Sequence, residues 1–523
     1  MMKFTVFALF GVSAVVAHTA ENRLDGSGTT NPSRLLWEAA RLLNARAVPE
    51  ARVTYRAVGS STGQLEFLGE ENPLGAFTAY SDFGSGDIPI PQEDYDAVTA
   101  TGRTVLHFPF LLGAMSIFHS VEGLPTSGPQ GLNMTGCLLA KIFNRDITTW
   151  DDAEILDINP GLAQIIPAGQ EILVYRRNRG SSTTAGVTTY LHDRCPEEWP
   201  SDQVGALIAW DEGTFGVDGS GGMEAALRSN PYAIGYLDAG HGHGAGLAEI
   251  ELENIAGLFQ SSLEALGNGG VQAAASTAIE RGLVPTSASS SFANVSFHNQ
   301  PGETSWPIVA VSYIYVDANQ TADGDRGALL VAFLELLLTD DGRDLTERYG
   351  FVPIPAELTA IAENAIDSIM LPDGQQMWTF EDPGTTLPIT GMGDFVVSGK
   401  RRDFYEVATS AQGDSIAELE AQVVTMDGSF QTQLDTLQST IDALNARIRS
   451  LEADDDADDA QDTADEAFRI AVVALILALL ALVSFLIFVF ATADFGCCGG
   501  SSAAASAQKY EGMKESSTKD ATA

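Results

Sequence analysis

Short apolar runs alternate with segments of helical periodicity between residues 22 and 370, and glycine or proline separates many of them. The apolar runs predict strands at 53–58, 104–110, 171–175, 233–237 and 308–316. Apolar residues spaced by three and four predict helices at 33–44, 134–143, 221–229 and 328–338. Strands that alternate with helices are typical of an α/β fold with largely parallel sheets.

The pattern changes after residue 370. Residues 371–412 contain proline, glycine and a basic patch, and are predicted to form a linker. Apolar residues then recur at alternating threes and fours, with a stutter around Phe430, which predicts a coiled coil over 413–452. The alternative is one amphipathic helix that packs back on the preceding domain.

The C-terminal region is predicted to cross a membrane. Residues 453–467 are mostly acidic residues and alanine, as in a solvated spacer. The segment 468–492 contains 21 consecutive uncharged residues, at 470–490, which is long enough for a transmembrane helix. Residues 493–523 are predicted to be a disordered cytoplasmic tail.

Residues 1–20 have the composition of a secretory signal peptide. Lys3 precedes an apolar core, and small residues follow near Ala17 and Ala20, where cleavage is expected. The apolar run is too short to span a membrane. The chain is therefore predicted to be a single-pass type I protein of the plasma membrane or an endomembrane, with residues 22–370 extracellular or lumenal.

Several residue types suit an exported domain. Cys137 and Cys195 either form one disulfide in that oxidising setting or stay reduced, because the sequence does not show their separation. Three Asn-X-Ser/Thr triplets predict glycosylation at Asn133, Asn294 and Asn319. Just past the predicted membrane span, palmitoylation is expected, with small-residue filler as the alternative, at Cys497 and Cys498.

Composition narrows the range of partners. The formal net charge is −42, and only 28 residues are lysine or arginine. Nucleic acid is excluded as a partner, because its recognition needs a basic surface. The negative field also repels anions at long range, so an anion site has to act through local donors.

Three loops rich in glycine, serine and threonine supply such donors, at 26–32, 59–63 and 176–184. Each is predicted to join a strand to a helix, so that unpaired N–H groups and the positive end of the helix dipole face one ligand. Arginines in the third loop add charged donors suited to a tetrahedral oxyanion. No lysine follows the glycines, which excludes the phosphate loop of a nucleotide hydrolase. Each loop alone also resembles an ordinary helix N-cap.

Residues 24–370 resemble the PstS-type phosphate-binding proteins, which are the extracytoplasmic receptors of phosphate ABC transporters. The resemblance rests on short motifs that occur in the family's order. They are Gly-Ser-Gly-Thr-Thr-Asn-Pro at 26–32, Tyr-Arg-Ala-Val-Gly-Ser-Ser-Thr-Gly at 55–63, Asp-Phe-Gly-Ser-Gly-Asp at 82–87, Met-Thr-Gly at 134–136, Ile-Thr-Thr-Trp-Asp-Asp at 147–152, residues 177–183, Ala-Ile-Gly-Tyr at 233–236 and Ser-Trp-Pro-Ile at 305–308.

The resemblance implies that residues 22–370 adopt the two-lobed type II periplasmic-binding-protein fold, a Venus flytrap, followed here by the coiled-coil helix and the transmembrane helix. The first lobe would comprise 22–110 and 300–370, and the second 111–299. A dehydrated phosphate would lie between the lobes, held by neutral donors, one arginine and one aspartate. By motif, these residues are Arg177, Asp87 and the donors Thr30, Asn31, Ser60, Ser181, Ser182 and Thr183.

Asp87 has a direct physical role in such a site. A carboxylate buried beside a dianion is repulsive unless a proton lies between them. Asp87 therefore favours an oxyanion that still carries hydrogen, and penalises fully ionised sulfate. Without the motif, the same residue reads as a turn cap before Pro89.

Three residues depart from the family pattern. Asn31 replaces an aromatic residue, at a position that contributes mainly a backbone N–H. Ser182 replaces a glycine, and either crowds the ligand or adds a donor. Arg179 stands where the family has an aspartate that pairs with the binding arginine, so it either tightens anion binding or leaves Arg177 less well oriented.

Other kinds of chemistry have less support. His241 and His243 have no acidic or cysteine partner nearby in the sequence, which is more typical of a surface loop than of a metal site. Ser60 and Ser181 lack an adjacent base for nucleophilic catalysis. No cofactor, metal or enzymatic activity is therefore expected.

Together these observations predict a membrane-anchored receptor that captures inorganic phosphate for uptake or sensing. The coiled coil is expected to make it a homo-oligomer, and a transporter is an expected partner. Two alternatives stay open. One is a cell-surface phosphatase or phosphotransferase that uses the same cleft, and the other is a non-binding protein of adhesion or assembly.

Overall fold

The computed structural model describes residues 22–69, 79–124, 131–381, 395–408 and 431–449. By its internal contacts the chain divides into one unit of Met1–Asp403 and another of Phe404–Ala523. The predicted signal peptide, acidic spacer, transmembrane segment and tail lie outside the described residues, as do Cys497 and Cys498. Among the helices of the described ranges, none combines the length and the apolar character needed to cross a membrane.

The first unit contains both strands and helices. Its strands are β1 (Arg23–Gly28), β2 (Ala47–Val48), β3 (Arg52–Ala57), β4 (Phe83–Gly86), β5 (Val105–His119), β6 (Leu132–Met134), β7 (Leu173–Arg177), β8 (Phe215–Val217), β9 (Ala233–Asp238), β10 (Ala248–Glu253), β11 (Phe259–Gln260), β12 (Val309–Asp317), β13 (Thr379–Glu381) and β14 (Val396–Ser398). Its helices are α1 (Ser33–Arg46), α2 (Ser60–Leu68), α3 (Gln92–Ala100), α4 (Gly136–Phe143), α5 (Ala153–Ile158), α6 (Ser182–Arg194), α7 (Gly219–Ser229), α8 (Ala239–Gly244), α9 (Ser262–Gly267), α10 (Gly270–Glu280), α11 (Gly324–Leu338), α12 (Asp340–Arg348) and α13 (Ala356–Asp367).

The main sheet has the strand order β3-β1-β4-β12-β5-β9-β7-β8, and β10 attaches β6 and β11 to β5. Pairing is parallel where β1 contacts β3 and β4, and where β7 contacts β8 and β9. The centre is antiparallel, since β5 runs against β12, β9 and β10. The prediction of largely parallel sheets is therefore wrong. The reason is topological, because β12 returns along β5 only after the chain has formed β6 to β11.

The long strand β5 joins the two halves of this sheet. All 15 of its residues are buried. Residues 105–114 pair with β12, and residues 115–119 pair with β9. We call the half with β1, β3, β4 and β12 the first lobe, and the half with β6 to β11 the second lobe. The strand predicted at 104–110 thus extends to His119, and the predicted lobe boundary at residue 110 falls inside it.

The other predicted elements lie close to observed ones. The strands predicted at 53–58, 171–175, 233–237 and 308–316 correspond to β3, β7, β9 and β12. The helices predicted at 33–44, 221–229 and 328–338 correspond to α1, α7 and α11. The helix predicted at 134–143 begins later, because Met134 ends β6 and the Thr135 side chain caps α4 by accepting a hydrogen bond from Leu138 N at 3.1 Å.

Part of the predicted linker is folded. β13 pairs with β14, and β14 pairs with β2, in a separate three-stranded sheet. Trp378 and Val397 are buried, and Lys400 Nζ lies 2.9 Å from Glu381 Oε1. The first unit therefore continues to Asp403 and does not end at residue 370. The sequence does not reveal these strands, because each is too short to show a period and the small sheet forms only by pairing with the distant strand β2.

The second unit contains a described helix at residues 431–449. Leu434, Ile441 and Ile448 are spaced by seven residues along it and are 45%, 49% and 40% exposed. Residues at this spacing share one face of a helix. Part of the predicted coiled-coil segment is thus helical, and its pairing with another helix stays a prediction.

The predicted glycosylation sites differ in their accessibility. Asn294 and Asn319 are exposed. Asn133 lies half-buried in β6, where its backbone N donates a hydrogen bond to Asn159 Oδ1 at 2.8 Å. A glycan would have room at the first two sites, and glycosylation itself stays a prediction.

Candidate anion-binding site

Three strand-to-helix loops meet where the two lobes face each other. They connect β1 to α1, β3 to α2 and β7 to α6. Glycine is needed where they touch, because a Cβ atom on Gly63 would lie 2.3 Å from Gly28 Cα. A Cβ atom on Gly180 would lie 2.5 Å from Ser61 Cβ, which shows that the second and third loops also touch. The N-termini of the three helices therefore lie close together.

Asp87 follows β4 at this meeting point and is 5% exposed. Its Oδ2 atom accepts hydrogen bonds from Thr29 Oγ1 at 2.6 Å and from Asn31 Nδ2 and Ser182 Oγ at 2.8 Å. Its Oδ1 atom accepts one from Ser312 Oγ at 2.6 Å. Burial raises the pKa of Asp87, and the hydrogen bonds from Ser312, Thr29 and Ser182 oppose that rise. Donors from the loop after β1, from α6 and from β12 hold this carboxylate, so it is more than a turn cap.

Arg177 is the last residue of β7 and is 4% exposed. Its backbone N donates to the Tyr236 hydroxyl at 3.1 Å, and its Nη2 donates to Thr30 Oγ1 at 3.3 Å. Among the described residues, Nη1 has no hydrogen-bond acceptor. Burial lowers the pKa of the guanidinium, and nearby Tyr236 and Asp238 oppose the shift. An arginine remains charged at neutral pH, so Nη1 offers a charged donor to an anion.

Three more hydroxyl groups of the predicted donor set are buried here. Ser60 begins α2, while Ser181 and Thr183 lie on either side of the first residue of α6. They are 1%, 2% and 0% exposed. Helix N-termini add unpaired N–H groups and a favourable dipole for an anion. The structure thus gathers all eight predicted site residues, and their contacts with an anion stay a prediction.

The Asn31 side chain takes part in the site, whereas the sequence suggested that mainly its backbone would. Besides its bond to Asp87, the amide accepts a hydrogen bond through Oδ1 from Ser220 Oγ at 3.1 Å. Its Nδ2 also lies 3.4 Å from Thr183 Oγ1. Asn31 therefore links the first lobe to two helices of the second, which an aromatic residue could not do by hydrogen bonds.

Sequence reasoning missed several polar residues that hold this network. They are Thr29, Ser220, Tyr236 and Ser312. Signals existed for some of them: Thr29 is part of the first glycine-rich loop, and Ser312 interrupts an apolar strand. Ser220 lies in the glycine-rich first turn of α7. Their partners are far apart in the sequence, so only the fold connects them.

Arg179 lies on the surface. Its Nε atom is 3.6 Å from Asp218 Oδ1, and the two side chains are 72% and 66% exposed. Arg179 therefore forms an ion pair with Asp218 in solvent, where such a pair contributes little to stability. The position that the resemblance assigns to a partner of Arg177 is thus occupied by a residue that points to solvent.

Asp238 is a second buried carboxyl group near the site, 2% exposed at the end of β9. Its Oδ1 accepts a hydrogen bond from His241 N at 2.8 Å, while Oδ2 has no donor among the described residues. Burial raises its pKa to about 7, and the charge of Asp87 adds to the rise. Asp238 lines a cavity of about 360 Å³ whose wall also includes Asn31, Arg34, His241, Tyr349 and Phe351.

The sequence suggested that His241 and His243 lie in a surface loop. In the structure they lie in the short helix α8. His241 Nε2 is 2.7 Å from Glu224 Oε2, and His243 Nε2 is 3.2 Å from Glu249 Oε2. Each histidine thus has a carboxylate partner of its own, which the sequence did not show. In the described part of the chain, metal-ligating groups gather only around one cysteine pair and Glu198.

That cysteine pair is a disulfide. Cys137 and Cys195 are bonded, and their Cα atoms are 4.9 Å apart. The bond connects α4 to the residue that follows α6. Disulfide sulfurs do not act as thiolate ligands, so the cluster with Glu198 is not a thiolate metal site.

Comparison with known proteins places this geometry in a family. A family model described as the PBP superfamily domain matches residues 15–341. The chain is 29% identical to the phosphate-binding protein PstS of Haemophilus influenzae over 65% of this chain and 91% of that protein. It is 28% identical to PstS of Methanocaldococcus jannaschii over 61% of this chain and 80% of that protein. A crystal structure of a phosphate-binding protein from Stenotrophomonas maltophilia aligns with 17% identity, a TM-score of 0.47, and coverage of 65% and 93% of the two chains.

The family model, at residues 15–341, covers more than half of the chain. The chain therefore belongs to the PBP superfamily.

Proposed function

We propose that this protein binds inorganic phosphate between its two lobes and presents the unchanged anion for uptake or sensing. The observation that carries the proposal is the presence of two buried charged residues, Asp87 and Arg177, at three converging helix N-termini. Arg177 Nη1 supplies a charged donor, while the hydroxyls of Ser60, Ser181 and Thr183 supply neutral ones.

The chemistry of the pocket favours phosphate over other oxyanions. Asp87 repels a fully ionised anion, and attracts one that can donate a proton to it. Phosphate carries such a proton near neutral pH, and sulfate does not. The relatives from Haemophilus influenzae and Methanocaldococcus jannaschii are named phosphate-binding proteins, which supports the same ligand.

Binding without catalysis agrees best with these residues. Among the described residues, neither Ser60 nor Ser181 has a hydrogen bond from its hydroxyl to a histidine. A serine nucleophile needs such a base. The phosphatase alternative therefore has no observation in its favour, and the similar proteins are named for binding.

We also propose that the receptor is anchored by the apolar segment 468–492, with the binding domain outside the cytosol and a transporter as its partner. The helix at 431–449, with its exposed stripe of Leu434, Ile441 and Ile448, supports a coiled-coil stalk that associates several chains. Sedimentation of the detergent-solubilised chain tests this part. Oligomers in the wild type and monomers after Ile441→Asp are the expected result.

Calorimetric titration of the full-length chain, freed of phosphate and kept in detergent, tests the ligand. We expect phosphate to bind much more tightly than sulfate. Asp87→Asn removes the repelling charge, so the ratio of sulfate to phosphate dissociation constants should fall at least about tenfold. Asp218→Asn removes an exposed carboxylate, 66% accessible, and should leave the ratio unchanged.

Two outcomes would contradict the proposed ligand. A folded protein that gives no heat with phosphate would favour the adhesion or assembly alternative. Steady release of phosphate from a phosphate monoester by the purified chain would instead favour the phosphatase alternative.

A further inference from the structure

Ser182 makes a hydrogen bond across the cleft that the binding role of Asp87 does not require. Ser182 begins α6, which follows β7 of the second lobe, and Asp87 follows β4 of the first. The Ser182 hydroxyl donates to Asp87 Oδ2 at 2.8 Å. The two side chains are 2% and 5% exposed, so water does not weaken this bond.

The Asp87 carboxylate accepts hydrogen bonds from other donors besides Ser182. Oδ2 accepts from Thr29, Asn31 and Ser182, and Oδ1 accepts from Ser312. The two oxygens of a carboxylate offer about four lone-pair sites in total. Oδ2 has two of these sites and three donors, so a ligand hydroxyl that donates a proton to Oδ2 has to compete with one of them.

Ser182 is the donor that can yield most readily. Thr29, Asn31 and Ser312 belong to the same lobe as Asp87, so their bonds to Asp87 do not depend on contact between the lobes. Ser182 comes from the opposite lobe. A serine hydroxyl also turns freely, and can donate either to Asp87 or to an oxygen of a bound anion.

The two kinds of anion use this hydroxyl differently. An oxyanion without a proton leaves the Ser182 bond intact, and that bond partly offsets the charge of Asp87. A protonated oxyanion has to replace the bond with its own O–H donor. The existing bond therefore lowers the advantage of the protonated ligand over the ionised one.

We propose that Ser182 is a specificity-determining residue, which relaxes the preference of the cleft for protonated over fully ionised tetrahedral oxyanions. The inference rests on the proposed binding of phosphate by the same site. A residue without a side-chain donor here, such as the glycine expected from the family resemblance, would leave Asp87 open to the ligand proton.

The test compares Ser182→Ala with the wild type in the full-length chain. The substitution should preserve the start of α6, because the N-cap residue of this helix is Ser181 and not Ser182. The matched control is Thr189→Ala in the same helix, whose hydroxyl donates only within the helix, to Ala185 O at 2.7 Å. Circular dichroism melting shows whether each variant is folded.

Calorimetry with sodium phosphate and, in competition, sodium sulfate gives the two dissociation constants. In Ser182→Ala, sulfate should bind more weakly, because Asp87 loses the bond that partly offsets its charge, while the protonated ligand no longer has to displace a donor. The ratio of the sulfate to the phosphate dissociation constant should therefore rise about tenfold, the value of one hydrogen bond to a charged group. The Thr189→Ala ratio should equal that of the wild type.

The results separate this inference from the proposed function. An unchanged or lower ratio in folded Ser182→Ala, with phosphate still bound, would refute the role of Ser182 alone. Absence of phosphate binding by the folded wild type would refute the proposed function and the role of Ser182 together.

Discussion

At the scale of one residue, the site depends on the geometry of the Arg177 guanidinium as well as on its charge. Its Nη2 and backbone N are held by Thr30 and Tyr236, while Nη1 stays unpaired among the described residues. Arg177→Lys keeps the charge and loses the planar fork. We expect the phosphate dissociation constant of this variant to rise about ten- to a hundredfold in calorimetric titration, because a charged hydrogen bond is lost.

Arg179 is the matched control for that experiment. It is two residues away in the sequence, yet 72% exposed and paired with Asp218. Arg179→Gln should change the phosphate dissociation constant less than about twofold, since exposed charges are screened. An equal loss in both variants would mean that the anion does not lie at Arg177.

At the scale of elements, the site depends on how closely α2 approaches the end of β1. A Cβ atom on Gly63 would lie 2.3 Å from Gly28 Cα and 3.1 Å from Ser27 O, and these are backbone atoms. Gly63→Ala therefore has to push the helix away from the loop. We expect a loss of about 1–3 kcal/mol in the free energy of unfolding and at least tenfold weaker phosphate binding. Urea denaturation and calorimetry measure the two effects.

Gly221 in α7 serves as the control for this substitution. A Cβ atom there would have no neighbour within 4 Å. Gly221→Ala should keep or raise stability by up to about 1 kcal/mol, because alanine favours the helix. If Gly63→Ala behaved in the same way, the close contact between α2 and β1 would not be needed for the site.

At the scale of the whole molecule, stability should depend on pH through a buried group outside the cleft. Glu251 in β10 is 6% exposed, and burial, with Glu264 and Glu249 nearby, raises its pKa to about 7. Between the ordinary value of 4.5 and about 7, the folded state binds more protons than the unfolded state. The contribution of Glu251 to stability is therefore fully present below that window and is lost as the pH rises through it.

Urea unfolding at pH 5 and pH 8 measures this contribution. The wild type should be less stable at pH 8, and Glu251→Gln should show a smaller difference. The net charge of −42 acts in the same direction in every variant, so the comparison between variants isolates Glu251. Glu212→Gln, at an exposed residue, should keep the wild-type difference. Equal pH dependence in all three proteins would contradict the assignment.

Some local features of the site, such as the start of a helix, could be predicted from the sequence. The loop at 26–32 was expected to precede a helix, and α1 does begin at Ser33. Helix starts are encoded by a few neighbouring residues, since capping and backbone freedom act over one turn. Asp87 and Arg177 were recognisable for a different reason, because they lie in short motifs that resemble those of the PstS-type proteins.

The surroundings of those residues could not be predicted in this way. Ser312 is 225 positions from Asp87 in the sequence, and Ser182 is 95 positions away. Asn31 was assigned a backbone role, because the sequence does not show that a carboxylate faces its amide. Likewise, the short strand at Val396–Ser398 depends on its pairing with β13 and with the distant strand β2.

The sequence by itself therefore determined the positions of most strands and helices, the donor-rich loops, and which two charged residues to expect in the site. The elements and loops follow from periodicity and local backbone preferences, whereas Asp87 and Arg177 follow from the motifs that resemble the PstS-type proteins. Only the tertiary structure decided the antiparallel pairing of β5 with β12, and the bond that Ser182 makes with Asp87 across the lobes. Both depend on packing between segments that are far apart in the sequence, and the identity of a residue does not show which segment will lie opposite it.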